Sequence, residues 1–383
     1  MNRKALVTII IAIIVVAVLS YLFIKTAPPS ASPQTTMTQT TRTTITTQTP
    51  QTTYNVIIQG AGSSLVYPQL NEWIQLFYSQ KGIKVSYQSV GSGAGLSMFF
   101  QNVTDFACSD PPLSRDMWLK YNGSVLQIPW LAGAVAIVYN VPEIPSNYIL
   151  KLDGSVLADI YKGSIVYWDD PRIKSLNTDI ANKLPHEEIR PVYRTDASGT
   201  TEVFTTFLYK STNGSWPKDL VGKTVNWPVI SSGRSVGSKG SEGVTQIVMQ
   251  TQYTIGYVEW SYAILNNLPV AAIKNAAGVF VTPSNSSIIA SLEKATLPQS
   301  PLSDFSEDAY QIVYAPGENS YPITAPTHII LWRKYGDSTK ALAIKEFLKW
   351  VAEEGYKHII QGYVAPPENI RNLLIGAANI ISS

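Results

Sequence analysis

Three times along this chain a short apolar run gives way to a turn rich in glycine and small polar residues and resumes as an amphipathic stretch, a pattern that predicts strand, turn and helix. In the first unit, residues 55–59 form the strand, Gly60-Ala61-Gly62-Ser63-Ser64 the turn, and Trp73, Ile74 and Phe77 mark the buried face of the helix, whose first turn suits Pro68. In the second, residues 84–90 lead through the loop 91–95 into a helix bearing Leu96, Phe99 and Phe100. In the third, residues 189–193 lead through the octet 194–201 into a helix on which Val203, Phe204, Phe207 and Leu208 recur. Residues 104–113 read as an apolar strand ending at Ser109-Asp110 before two prolines, and residues 135–140 as a buried strand closed by Val141-Pro142. Residues 157–162 read as a helix stopped by Gly163, 168–171 as a turn and 233–243 as a cleft-rim or surface loop, the surface reading being the default. A strand over 327–332 and a helix over 341–354, with Phe347, Trp350 and Val351 facing the core, complete the pattern. Strands and helices that alternate in this way place the chain in the α/β class.

The N-terminal end has a different texture. Residues 5–24 are almost uninterruptedly apolar after Arg3 and Lys4, about the length that spans a bilayer, and the positive-inside rule puts the short N-terminus in the cytoplasm. Residues 26–53 turn to Thr, Ser, Pro and Gln, which cannot bury a core and read as an extended stalk. Asn102, Asn122, Asn213 and Asn285 each open an N-glycosylation triplet, in keeping with an exported chain.

With 383 residues, 45% of them hydrophobic, the chain can bury a large core, and its length favours two domains. A net charge of +2 without any long basic run excludes a nucleic-acid surface. The single cysteine, Cys108, rules out an internal disulfide and a Cys-based zinc cluster. Its apolar neighbours Phe106 and Ala107 point to a buried packing role. His186, His328 and His358 show no ligand spacing, so no metal and no cofactor is expected.

The chemistry concentrates in the octet Arg194-Thr195-Asp196-Ala197-Ser198-Gly199-Thr200-Thr201. Ser198 is a good N-cap, Gly199 admits a ligand close to the backbone, and the amides of Gly199, Thr200 and Thr201 face outward where the helix dipole favours an anion. Arg194 adds a fork of donors suited to a tetrahedral oxyanion, and Asp196 can orient it. An ordinary capped helix with a surface Arg–Asp pair fits the same residues. Three glycine-rich turns at strand ends favour the ligand reading, because open α/β sheets bind ligands at the carboxyl ends of their strands. Asp110 alone is a plain turn carboxylate. Beside an oxyanion cradle it has the wrong charge, unless the ligand carries a proton to donate.

Residues 60–64, 87–95, 105–113, 194–201, Ile255-Gly256-Tyr257-Val258-Glu259 and Tyr321-Pro322-Ile323-Thr324 occur in the order and spacing of the phosphate-binding proteins of Pst-type ABC transporters, which the chain resembles over residues 54–370. The resemblance implies a two-domain type II periplasmic-binding-protein fold, with crossing strands joining the domains and the ligand cleft between them. It also implies a membrane-anchored, archaeal-type form. Domain I would comprise 54–137 plus 321–383 and domain II 138–320, after a transmembrane anchor or uncleaved signal (1–25) and a stalk (26–53). By the same resemblance Ser64, the Leu65 amide, Ser92, Asp110, Arg194, Ser198, Gly199 and Thr200 hold phosphate, with Asp196, Gly62 and Gly91 in support. Leu65, Ser64 and Gly93 depart from the aromatic, threonine and serine common in the family. The implied function is extracytoplasmic capture of inorganic phosphate by a monomer anchored through its N-terminal helix, and delivery to an ABC transporter permease. Molybdate, tungstate or sulfate binders are the nearest alternatives, but those anions bring no proton for Asp110 at neutral pH. A surface sensor or adhesin could reuse the fold. A phosphatase-like hydrolase using Ser198 lacks any surrounding nucleophile motif.

Overall fold

A computed structural model describes residues 56–383; the apolar N-terminal run and the stalk lie outside the described residues. Among the described residues no helix is long and apolar enough to cross a membrane. The strands in chain order are β1 (Ile57–Gly62), β2 (Lys84–Ser89), β3 (Phe106–Ser109), β4 (Val125–Asn140), β5 (Lys151–Leu152), β6 (Arg190–Arg194), β7 (Val236–Ser238), β8 (Thr254–Glu259), β9 (Ala272–Lys274), β10 (Phe280–Val281) and β11 (Thr324–Trp332). Eight of them form one sheet in the order β2-β1-β3-β11-β4-β8-β6-β7, and β10-β9-β5 form a small second sheet. The principal helices are α1 (Tyr67–Lys81), α2 (Ser92–Phe100), α3 (Gly154–Lys162), α4 (Gly199–Ser211), α5 (Gly240–Gln250), α6 (Trp260–Leu265), α7 (Ser338–Glu353) and α8 (Glu368–Ile380).

Strand β4 joins two lobes. Its first ten residues, except Trp130 at a register slip, pair antiparallel with β11, and from Val135 onward it pairs antiparallel with β8. All but its last residue are buried, as a strand covered on both faces must be. Only its second half is legible as a strand in the sequence, because Gln127, Pro129 and Gly133 break the apolar run. Pro129 is tolerated mid-sheet because the register with β11 slips between Thr327 and His328, opposite the proline.

Each lobe repeats strand, turn and helix. In the first lobe β1 pairs parallel with β2 and β3, and an aromatic core of Trp73, Phe77, Trp130, Phe347 and Trp350 seats α1 and α7 against the sheet. In the second, β6 runs parallel to β7 and β8, and Tyr161, Phe204, Trp227 and Tyr257 pack beneath the start of α4. The expected glycine stop of α3 is Gly163 in left-handed conformation.

Two elements differ from the sequence reading. The expected loop 91–95 is mostly helix, since α2 begins at Ser92. Its glycines are there for contact: a Cβ on Gly95 would lie 2.2 Å from the Gly62 Cα and 2.6 Å from the Ala61 carbonyl oxygen. The Gly95→Ala variant is therefore expected to lose about 1–3 kcal/mol of stability by overpacking against backbone, read as a lower melting temperature. The segment 233–243, expected as a cleft-rim or surface loop, contributes β7 and the first turn of α5, and its end lies at the cleft rather than on the outer surface. A three-residue strand of Val, Gly and Ser carries too little apolar pattern to announce itself.

Candidate functional site

The strand ends of the two lobes meet in the cleft. The turn after β1 supplies Ser63 and Ser64, α2 begins with Ser92, and Asp110 follows β3 directly. From the other lobe come Arg194, the last residue of β6, and the N-terminus of α4. Ser63, Ser64, Ser92, Asp110, Arg194, Ser198 and Thr200 are all buried. The lobes touch here: the Gly93 amide donates to the Ala197 carbonyl at 2.9 Å. A Cβ on Gly199 would sit 2.6 Å from Asp110 Oδ2 and 2.4 Å from Ser92 Oγ. The start of α4 thus presses against the carboxylate of the opposite lobe.

Asp110 is fully buried. Its Oδ1 accepts from Ser63 Oγ at 2.5 Å, and its amide donates to Ser92 Oγ at 3.4 Å. Burial pushes its carboxyl up to about 6, against the opposing pull of the Ser63 hydroxyl and of Arg194 and Lys223. Arg194 Nε donates to Asp196 Oδ1 at 2.7 Å, and Nη2 donates to the other carboxylate oxygen. Burial disfavours the guanidinium charge, but Asp196 more than offsets it and the pKa stays raised. Asp196 feels burial too, yet Arg194 holds its carboxyl below the ordinary range. Tyr257 on β8 accepts from the Arg194 amide at 3.1 Å and lies 2.8 Å from Thr201 Oγ1, tying both ends of the octet to the sheet.

Ser198 caps α4, its Oγ accepting from the Thr201 amide at 3.1 Å. Three buried polar atoms of this cluster have no hydrogen-bond partner within the protein: Asp110 Oδ2, Arg194 Nη1 and Thr200 Oγ1. One is an acceptor, one a charged donor and one a hydroxyl. Leaving such groups unpaired costs on the order of 1–3 kcal/mol each, so the arrangement suits a small polar ligand that offers both acceptors and a donor. Among the described residues no cluster of His, Cys, Asp and Glu could hold a metal ion.

The profile of the PBP superfamily domain matches residues 30–354. A phosphate-binding protein PstS of Methanocaldococcus jannaschii is 44% identical over 85% of this chain and 86% of its own. The chain belongs to the PstS family. A PstS of Pasteurella multocida is 36% identical over 83% of this chain and 89% of its own. The fold is shared with solved structures, among them the periplasmic phosphate-binding protein PfluDING with bound phosphate (TM-score 0.65, 23% identity, covering 83% and 92% of the two chains). The ancestral soluble variant of the human phosphate-binding protein is similar at a TM-score of 0.67 and 22% identity, over 85% and 98%.

In this PstS-family chain the residues expected from the sequence gather in one cleft, with differences in detail. The Leu65 amide turns to Ser63 Oγ at 2.9 Å. Ser64 Oγ lies 3.1 Å from Ser241 Oγ and accepts from the Ser241 amide at 3.2 Å, a contact between the lobes. Gly62 and Gly91 both adopt positive φ, and a Cβ on Gly91 would stand 2.3 Å from Asp196 Oδ2. Ser63, Ser241, Tyr257 and Lys223 escaped the sequence reading. Lys223 pairs with Glu202 of α4 at 2.6 Å, and its carbonyl accepts from the Ser198 amide at 2.9 Å. Ser63 adjoins Ser64 in the same turn, and nothing in the sequence says which hydroxyl faces Asp110.

Proposed function

We propose that the chain captures inorganic phosphate outside the cytoplasm and delivers it to the permease of an ABC transporter. The observation that carries this reading is Asp110, a buried carboxylate with one free oxygen set against Arg194 and the first turn of α4. Hydroxyls, amides and a guanidinium can satisfy any tetrahedral oxyanion. A carboxylate acceptor among them demands a hydrogen on the ligand, and near neutral pH phosphate keeps one while sulfate, molybdate and tungstate do not. In this reading Ser64, Leu65, Ser92, Arg194, Ser198, Gly199 and Thr200 line the anion and Asp196 braces the arginine. Leu65 contributes only if phosphate draws its amide away from Ser63. No chemical step is needed: Ser198 acts as a cap, and the protein works as a monomeric carrier. The apolar run 5–24 would hold it to the outer face of the membrane. The asparagines of the four glycosylation triplets are exposed, which supports glycans there.

Calorimetric titration of residues 54–383 with phosphate, sulfate, molybdate and tungstate tests the reading. Phosphate is expected to bind at least about tenfold more tightly than the others, the minimum set by one repelled buried acceptor. Tighter binding of molybdate or sulfate overturns it.

A further inference from the structure

The first turn of α5 lies against the first lobe, outside the sheet core and at the edge of the Asp110–Arg194 cluster. Gly240 donates its amide to Asp196 Oδ1 at 3.2 Å. Ser241 is fully buried, and its amide and hydroxyl both meet Ser64 Oγ. Half-buried Glu242 accepts from Ser89 Oγ at 3.3 Å, reaching the end of β2 in the first lobe. The Tyr262 hydroxyl of α6 stands 2.7 Å from Glu242 Oε1 and 2.9 Å from the Ser64 carbonyl oxygen, bridging the same two surfaces. Three side chains and one amide of the second lobe thus cross the cleft beside the anion cluster, and three of these four contacts end on Ser64.

We propose that Ser241, Glu242 and Tyr262 form a latch that orients the Ser64 hydroxyl toward the anion and sets how long the closed lobes retain it. The Ser241 amide occupies one lone pair of Ser64 Oγ, and with the Ser241 hydroxyl donating to the other the Ser64 proton is left to donate to the ligand. The Tyr262 hydroxyl has one proton for two acceptors, the Ser64 carbonyl and Glu242 Oε1, and it holds the turn after β1 close to the first turn of α5. Glu242 is the only charged member of the latch, and hydrogen bonds to a carboxylate are stronger than neutral ones. Its two partners sit in different lobes, Ser89 in the first and Tyr262 in the second. The Tyr262 contact lies within the second lobe, whereas the Ser89 contact exists only when the lobes are together; through it the carboxylate stabilises the closed state without touching the ligand. An interaction present in the closed state and absent from the encounter is felt in dissociation, whereas association is governed by approach to the open cleft.

The proposal rests on phosphate capture, and the test separates the two. Phosphate association and release are followed by stopped flow for the wild type, Glu242→Gln, Tyr262→Phe and Ser89→Ala, with melting curves recorded with and without phosphate. Glu242→Gln and Tyr262→Phe are expected to release phosphate about tenfold faster, with association rates within about threefold of wild type. Ser89→Ala is expected to shift release in the same direction but less. The ligand-free melting temperature should change little, while the increment gained from phosphate should shrink. A mere packing role would lower the ligand-free melting temperature and leave the rates in place. Wild-type release rates in both Glu242→Gln and Tyr262→Phe overturn the latch. If the wild type binds no phosphate, the capture reading fails first. Should Tyr262→Phe misfold, Glu242→Gln and Ser89→Ala carry the test alone.

Discussion

Replacing Asp110 by asparagine is expected to lower the preference for phosphate over sulfate by about a hundredfold, from opposite changes on the two anions. In the wild type, Asp110 Oδ2 is a buried acceptor with no partner inside the protein. Protonated phosphate can donate to it. Sulfate can only present another bare oxygen, which puts two acceptors in contact inside a buried cleft. The amide of asparagine keeps the shape and reverses the polarity, because its NH2 group now donates. Sulfate gains a hydrogen bond and phosphate loses the acceptor for its proton. Titration of both anions into both proteins gives the ratio. An unchanged ratio would mean that selectivity arises elsewhere and that Asp110 only fixes Ser63 and the turn after β1.

The same carboxyl predicts a pH dependence whose sign follows from its burial. Asp110 is raised from an ordinary value near 3.8 to about 6. The cost of burying the ionised form is fully present above pH ~6 and is relieved as pH falls through that value toward 3.8, a window worth about 3 kcal/mol for a fully buried group. Within that window the wild-type carboxyl carries a proton and can donate. Sulfate affinity is therefore expected to rise as pH drops through about 6 in the wild type and to stay flat in Asp110→Asn. Glu259, another buried carboxyl at the lobe junction, is pushed up to about 8 by burial. Asp110 is itself one of the groups that raise Glu259, so the asparagine variant lowers Glu259, and the comparison is read below the Glu259 transition.

The strand-turn-helix units were readable because each pairs a short apolar run with a helix whose buried face recurs at the proper period. The α4 cap is a local device, and Ser198 accepts from Thr201 as its position in the octet suggests. Asp110 alone reads as a plain turn carboxylate and gains a place in the site only through the family resemblance, whereas Arg194 and Asp196, two residues apart, pair as their spacing suggests. What escaped depends on long-range contact. Ser241 meets Ser64 across a sequence separation of 177 residues, and its turn has no apolar period to mark it. The first half of β4 hid behind Pro129, whose place in the sheet depends on a register slip in a partner strand nearly two hundred residues away. The start of α2 was set too late because glycines usually mark loops. Here Gly95 marks the closest approach of a helix to a strand.

Removal of the Arg194 side chain is expected to weaken phosphate and sulfate alike, by a hundredfold or more, and to destabilise the ligand-free protein. The guanidinium is almost wholly buried and grips Asp196 with two of its three nitrogens, leaving Nη1 without a partner in the protein. Arg194→Ala strands the Asp196 carboxylate beside Gly91 with only the Gly240 amide to satisfy it, and breaking a buried pair in this way costs about 3–5 kcal/mol. Arg194→Lys keeps the charge but not the planar fork, so it can serve Asp196 or the anion and not both in the same geometry; about a tenfold loss of affinity is expected. The double variant Arg194→Ala with Asp196→Ala separates structure from binding. Removing both charges takes away the stranded carboxylate and should restore most of the lost melting temperature. It cannot restore the donor at Nη1, so anion affinity should stay low. A double variant that binds phosphate as tightly as the wild type would show that the helix N-termini and hydroxyls hold the anion unaided. Because a guanidinium donates to any oxyanion, the phosphate-to-sulfate ratio should survive all three substitutions, the opposite of the outcome at Asp110, when measured well above the Asp110 transition, which rises once Arg194 no longer pulls it down. Affinity and selectivity would then reside on opposite lobes of the cleft, and only the closed protein would express both.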